Sequence, residues 1–489
     1  MNTTESTSAD PHTDTLIRRH RSSRRSLVKA SLAAGLMAGT PLRTPRRVRA
    51  QEAATPIAGA VNTTSAPSAV LFRDVHIFDG VSHSLSAASS VLVSGNTIER
   101  IAEQAIEIPS SAIVIDGAGR TLMPSLIDVH WHAMLAAIPL AVLRVADLGY
   151  INLVAGKVAT ETLLRGFTTV RDVGGPVFGL KRAIDEGVIS GPRIYPSGAM
   201  LSQTSGHADF RFPYEVPSDP AAPLSHPEVI GVGAIADGVE AVLRTTREQL
   251  MKGASQIKVM AGGGIASPFD PIDVTQYSEE EIRAAVGAAA DWGTYVAVHA
   301  YTPRAIQRSI AAGVLSIEHG QLMDEATAQM MADQGIWLSL QPFLDDEDAI
   351  PYPEGSPNRI KQLDVAAGTD TAYELAIQYD LKLAWGTDTL FDPVLTAKQG
   401  KQLAKMTRWF TPAEALAMAT SANAELLALS GPRNPYPGTL GVIKEGALAD
   451  LLLVDGNPLQ ELSLVADPER NFLVIMKDGR IYKQAPSLS

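Results

Sequence analysis

Cysteine is missing from this 489-residue chain altogether. Without a thiol there is no disulfide framework, no thiolate zinc site and no cysteine nucleophile, so any metal must rest on imidazole, carboxylate or a less usual donor. Charge is sparse too: charged residues make up 19% against 45% hydrophobic, the balance of a globular chain and not of a disordered one. No Gly-x-Gly-x-x-Gly follows an early strand, which weakens a dinucleotide-binding reading. The charge present is unevenly spread. The formal net charge is −12, yet residues 1–50 hold ten Lys and Arg against three Asp and Glu, so the remainder carries about −19. An acidic body argues against nucleic acid or an anionic lipid surface as the partner.

The basic end has its own pattern. Ser23-Arg24-Arg25-Ser26-Leu27-Val28-Lys29 precedes a mild apolar run at 30–39, and Ala50 offers a small residue for cleavage. This resembles a twin-arginine export signal over residues 1–50, which predicts a periplasmic or secreted protein. The run is too short and too mild to span a bilayer, so no stable membrane insertion is expected. Residues 51–68, rich in Ala, Thr, Ser and Pro, read as a linker.

From Ala69 to Leu122 short β segments alternate with turns, and the same texture returns after residue 436. Lys477-Asp478-Gly479-Arg480 reads as a hairpin turn. Neither end piece can bury a core alone, so 69–123 and 430–485 are expected to pair into one small β-sandwich. Between them, over 124–429, strands alternate with helices, the signature of a parallel sheet. Eight strands are predicted, beginning at Leu126, Gly166, Arg193, Gln256, Tyr295, Leu315, Trp337 and Leu383. Ser278–Glu281 and Thr411–Glu414 read as capping boxes that start helices. The fold class is therefore α/β, a (β/α)8 TIM barrel of the usual size, ~250 residues before insertions, with an open doubly wound sheet as the alternative.

The first of these strands ends in His130-Trp131-His132. Side chains alternate along a strand, so the two histidines share a face and Trp131 packs on the other. Such a pair is half of a metal site, or equally two packed histidines. Other strand ends carry Lys258, His299, His319 and Asp388. Barrel active sites are built at these C-terminal strand ends, and four histidines arriving there together favour the metal reading. His76 and His83 fall in the β-sandwich, His207 and His226 in loops.

As a set, Pro124–His132, Ile257-Lys258-Val259-Met260-Ala261, Val298-His299-Ala300, Ser316–Gly320, Gly386-Thr387-Asp388, Thr411–Leu416 and Glu445–Asp450 resemble the amidohydrolase superfamily. The branch is the prolidase-like or imidazolonepropionase-related one, and the likeness covers about residues 69–485. It implies a site for two divalent metal ions, with zinc the ion such nitrogen and oxygen donors suit best. His130 and His132 would bind the first metal and His299 and His319 the second. Lys258, carbamylated by carbon dioxide, would bridge them, and Asp388 would bind the first metal and touch a bridging hydroxide. Chemistry agrees on Lys258, since burial and neighbouring metal charge both oppose its ammonium form. The activity implied is hydrolysis of an amide.

The resemblance also implies that His207 reaches the substrate, to polarise its carbonyl or bind the oxyanion. Tyr301 is a plausible substrate contact or a packing residue. Gly262-Gly263-Gly264 allows close backbone approach or forms a flexible turn. The acidic run Asp345-Asp346-Glu347-Asp348 is a solvated surface or a lid. Arg171 and Asp172 are expected to form a barrel ion pair rather than to hold a substrate carboxylate. Relatives of this branch cleave C-terminal dipeptides, N-acyl amino acids and aromatic amides. A small-molecule peptide-like amide with a free carboxylate is therefore the expected substrate; aryl amides, ureas, carbamates or esters are the alternative, and a non-catalytic scaffold a more distant one. A homo-oligomer is expected by analogy only.

Overall fold

The computed structural model describes residues 69–215 and 223–488. The expected export signal and linker lie outside those residues. In chain order β1 (Ala69–Ile77), β2 (Ser89–Ser94), β3 (Thr97–Ala102) and β4 (Ile113–Pro124) come first. A strand–helix region follows, with β5 (Leu126–Trp131), β6 (Phe167–Asp172), β7 (Arg193–Pro196), β8 (Met200–Ser202) and β9 (Gly233–Ile235). It continues through β10 (Ile257–Met260), β11 (Val296–Ala300), β12 (Ser316–His319), β13 (Trp337–Leu340) and β14 (Lys382–Trp385). The chain closes with β15 (Leu451–Val454), β16 (Phe472–Lys477) and β17 (Arg480–Gln484).

Both ends of the described chain meet in one seven-stranded sheet, ordered β17-β16-β15-β4-β1-β2-β3. The join is antiparallel, with Leu453 opposite Leu122 and Leu451 opposite Pro124. An isolated bridge from Thr97 to Leu448 ties the far edge back towards the start of β15. Alternation drives the pairing: Val70, Phe72, Val91, Val93, Leu451, Leu453, Val474 and Met476 enter one apolar cluster. The predicted hairpin turn is present between β16 and β17, with φ of 55° at Asp478 and 70° at Gly479. A Cβ on Gly479 would stand 1.9 Å from the Gly95 carbonyl oxygen, so only glycine fits there. β4 runs much further than the Ala112–Ile115 segment expected. The Asp116-Gly117-Ala118-Gly119 stretch has turn composition but forms a bulge within the strand, with the register against β1 slipping between Arg73 and Val75.

The central region is parallel throughout. β5, β6 and β7 make one sheet, and β9-β8-β10-β11-β12-β13-β14 make another. The third predicted strand, Arg193–Pro196, is β7 and ends in a break at Ser197-Gly198-Ala199; β8 and β9 were not anticipated, because three residues are too few to show a period. At the break, Ser255 N–H donates to the Pro196 carbonyl at 2.8 Å. Between β14 and β5 the Asn423 side-chain amide donates to the Ile127 and Trp385 carbonyls, each at 2.7 Å. Outward residues such as Ile257 and Val259 pack against helix residues Ala285, Ala288 and Ala289, which leaves the inward positions for chemistry.

The two predicted capping boxes are formed, at Ser278 with Glu281 and at Thr411 with Glu414. Each such cap contributes about 1 kcal/mol to its helix. His226, expected in a loop, instead begins the short helix His226–Val229, and its Nε2 pairs with the Ala146 carbonyl at 3.0 Å. Among the described residues no helix is long and apolar enough to cross a membrane.

Candidate active site

The C-terminal ends of the parallel strands converge as the sequence predicts. His130 and His132 leave β5 on one face, while Trp131 is buried in the apolar cluster behind them. The strand-end loop after β14 reaches them through Gly386, whose absent side chain matters: a Cβ there would meet the His130 nitrogen at 2.5 Å. Asp388 N–H then donates to the His130 carbonyl at 2.9 Å, which brings the Asp388 carboxylate to 3.3 Å from Nε2 of both His130 and His132. Asp388 and His319 hold left-handed backbone, φ 49° and 83°, strain of the kind that collects at functional sites.

Each imidazole spends one nitrogen on a fixed acceptor. His130 Nδ1 donates to Glu318 at 2.9 Å, His132 Nδ1 to the Gly174 carbonyl at 3.0 Å and His319 Nδ1 to Gln341 Oε1 at 2.7 Å. His299 uses the other nitrogen, Nε2, on the Gly263 carbonyl at 2.9 Å. The remaining nitrogens are left to a shared centre. Ring centroids lie 5.6 Å apart for His130 and His132, 4.7 Å for His130 and His319, and 4.5 Å for His299 and His319. Donor atoms of His130, His319 and Asp388 fall within 4.8 Å of one another.

Electrostatics points the same way. Burial, helped by the neighbouring His207 and His319, holds His299 well below the usual imidazole range, and burial with His130 does the same for His319. These rings are neutral, the form that binds a metal. Burial would raise Asp388, but His130 and His132 outweigh it and keep the carboxyl well below its ordinary value. Burial pushes the Lys258 amine down to about 8. It is 1% exposed and, among the described residues, forms no ion pair. Four oriented lone pairs, an ionised carboxylate and a buried amine able to shed its proton form a donor set that fits divalent cations. The outer acceptors supply the orienting contacts that metal-binding imidazoles need.

Arg171 forms an ion pair, as expected, but with Glu318 and not with Asp172: its Nη2 donates to both carboxylate oxygens at 2.7 and 2.8 Å. Asp172 instead accepts from the Ala133 N–H at 2.7 Å, and burial raises its carboxyl to about 7. Glu318 and Gln341 were not singled out from sequence; Glu318 on β12 meets Arg171 from β6, a strand of the other parallel sheet, so no local pattern pairs them. His207 joins the site, stacked on His299 at 4.2 Å between centroids. Tyr301 packs edge-on to His299 at 4.8 Å and lines the cavity, so both of its expected roles are open to it.

The cavity over these groups is open to solvent at its mouth. Its outer wall is apolar, with Phe210, Phe343, Leu344, Ile350, Tyr352 and Phe391. The acidic run beside this wall is solvated only in part: Asp345 and Glu347 are exposed, while Asp348 is buried. Asp345 pairs with Arg359 at 2.7 Å and Asp346 with Lys405 at 2.7 Å, while buried Asp348 pairs with Lys398 at 2.7 Å and Lys401 at 3.1 Å.

Comparison with known proteins gives the family. The profile of the amidohydrolase family matches residues 121–482. The ochratoxinase of Aspergillus niger is 33% identical over 382 residues, 74% of this chain and 75% of its own. Among solved structures, a prolidase complexed with N-methylphosphonate-L-proline shows 35% identity and a TM-score of 0.77, over 85% of this chain and 100% of that one. A Xaa-Pro dipeptidase with methionine bound in its active site shows 30% identity and a TM-score of 0.73, over 85% and 100%. With a strand-end histidine cluster in place and these relatives around it, the chain belongs to the amidohydrolase family and is a hydrolase acting on carbon–nitrogen bonds.

Proposed function

We propose that this protein is a binuclear metal-dependent amidohydrolase that cleaves a peptide-like or N-acyl amino acid bond. The observation that carries the proposal is the division of labour in the four imidazoles: one nitrogen of each is held by protein, and the other is left to a centre shared with Lys258 and Asp388. His130, His132 and Asp388 would hold one ion, His299 and His319 the other. Lys258, carbamylated on its neutral amine, would bridge them. Two divalent ions bound there, zinc by donor chemistry, would acidify water and polarise the substrate carbonyl.

The chain's own residues do the rest. Asp388, ionised at neutral pH, accepts the proton shed as water adds to the acyl carbon. It returns that proton to the nitrogen as the carbon–nitrogen bond breaks, so an amine leaves and a carboxylate remains. His207 meets the carbonyl oxygen or a neighbouring carboxylate, and Tyr301 borders the same space. Phe343, Leu344 and Ile350 exclude bulk water, which strengthens each of these contacts.

The ligand of the similar prolidase, N-methylphosphonate-L-proline, carries a carboxylate beside its nitrogen, in agreement with an amide of that kind. A second reading, aryl amides, ureas, carbamates or esters without that carboxylate, is favoured by one observation. Lys405, on the outer cavity wall, is already paired with Asp346 and Asp348, so among the described residues that wall offers the far end of the substrate apolar surface in place of an unpaired cation. An N-acyl amino acid panel run beside matched neutral amides decides: preference for the carboxylates supports the first reading, indifference the second.

The architecture proposed around this site is a closed (β/α)8 barrel over 124–429, with the terminal segments 69–123 and 430–485 folded as a β-sandwich. A twin-arginine leader at 1–50 and a linker at 51–68 would place the enzyme in the periplasm or outside the cell. A homo-oligomer is the state we propose by analogy with relatives.

A further inference from the structure

We propose that Asp270 is the positioning residue for His207, setting which ring nitrogen faces the substrate; the inference rests on the role given to His207 above. Asp270 is fully buried on the loop after β10. Its Oδ2 accepts three hydrogen bonds: from Gly264 N–H at 2.7 Å, from the Ser267 hydroxyl at 3.0 Å and from His207 Nδ1 at 3.2 Å. The Ser267 oxygen also accepts from His207 Nδ1, at 2.5 Å. With a carboxylate as the final acceptor, the ring must carry its hydrogen on Nδ1. Nε2 is then the nitrogen left for the cavity, which His207 lines.

The surroundings leave the ring little freedom. His299 covers one face, stacked at 24° to it. The His207 N–H donates to Gln276 Oε1 at 2.9 Å. A Cβ on Gly264 would lie 2.1 Å from both Nδ1 and Cε1 of the ring, so that glycine is needed for the ring to lie where it does. The loop is itself fastened from the far side of the cavity. Lys361, on the helix Pro357–Gln378, donates to the carbonyls of Gly264, Ser267 and Asp270 at 2.9, 2.9 and 2.8 Å. Asp270 Oδ1, by contrast, is buried without a hydrogen bond, with Lys361 Nζ 3.7 Å away. A buried carboxylate with one oxygen unsatisfied is costly and calls for a reason. Aiming the His207 ring supplies one.

Three variants test this: Asp270→Ala, Asp270→Asn and Gly264→Ala, the last reaching the same ring by sterics alone. The first readout is the ring itself, in protein labelled with 15N on histidine, where long-range 1H–15N correlations of His207 report which nitrogen carries hydrogen. We expect hydrogen on Nδ1 in the wild type and an altered pattern in Asp270→Ala and Gly264→Ala. This readout needs no substrate, so it separates failure of the positioning claim from failure of the proposed hydrolysis. The second is a double-mutant cycle with His207→Ala on an N-acyl amino acid. Asp270→Ala should lower kcat/KM roughly tenfold to a hundredfold, Asp270→Asn should retain more than Asp270→Ala, and the double variant should be no worse than His207→Ala alone. An unchanged ring signal in Asp270→Ala, or losses that multiply in the double variant, would overturn the proposal.

Discussion

Two polar clusters, one at the N-terminal ends of β6 and β7 and one at the C-terminal ends of β5, β10, β11 and β12, differ in what they leave unsatisfied. At the N-terminal ends, Arg193 pairs with Asp450 and, at 2.8 Å, with Asp478. Asp450 also accepts from the Thr168 hydroxyl at 3.1 Å and the Asp478 N–H at 2.7 Å, and Lys477 donates to the Gly191 carbonyl at 2.7 Å. Arg193 and Asp450 are paired with each other, and Lys477 is held by a backbone carbonyl. At the C-terminal ends, the imidazoles of His130, His132, His299 and His319 each hold one acceptor and turn the other nitrogen towards a shared centre, where Asp388 stands 3.3 Å from Nε2 of His130 and of His132, and Lys258 forms no ion pair among the described residues. The first cluster fastens the terminal sheet to the strands. The second is complete only with something added.

Asp388→Asn should have the largest effect on that contrast, since it removes the proposed proton carrier and keeps the shape. We expect kcat to fall by about a thousandfold or more, with the melting temperature unchanged; a variant that keeps its activity would erase the distinction between the two ends. Arg193→Met attacks the other cluster. It leaves Asp450 buried without its ion-pair partner, which costs about 3–5 kcal/mol of stability. Denaturant unfolding should show that loss, while kcat per folded molecule stays as it was.

A smaller effect is expected from Glu318→Gln, which keeps the fit but weakens the contact that orients His130. Metal affinity, measured by chelator competition, should fall roughly tenfold to a hundredfold. The finest test uses pH. Burial lowers the Lys258 pKa to about 8, so the neutral, carbon-dioxide-accepting amine is the minority form at pH 7 and the majority at pH 9. At fixed dissolved carbon dioxide, metal uptake by stripped protein should speed up roughly tenfold between those values, and Lys258→Met should show no such dependence.

Much of this was legible in the sequence, for physical reasons. Strand alternation placed His130 and His132 on one face and Trp131 on the other, and the strand-end positions of Lys258, His299, His319 and Asp388 brought them to the same cavity. The capping boxes were equally plain, because the residues that form them are neighbours in the chain. Contacts distant in sequence were harder to read. Glu318 shares a strand with His319, yet its partners Arg171 and His130 come from β6 and β5, and Asp270 meets His207 only because two loops fold together. The bulge in β4 had the composition of a turn. In the acidic run after β13, the composition gives no sign that Asp346 and Asp348 are paired with lysines 59 and 50 residues on while Asp345 and Glu347 stay exposed.

The central claim, that the strand-end cluster is a two-metal hydrolytic centre, is tested most directly by metal analysis of the active protein. Elemental analysis of purified enzyme, paired with amide hydrolysis before and after chelation, should show two divalent ions per chain, activity lost on their removal and regained with zinc and bicarbonate. Hydrolysis that persists in metal-free protein, or full activity with a single ion bound, would contradict it.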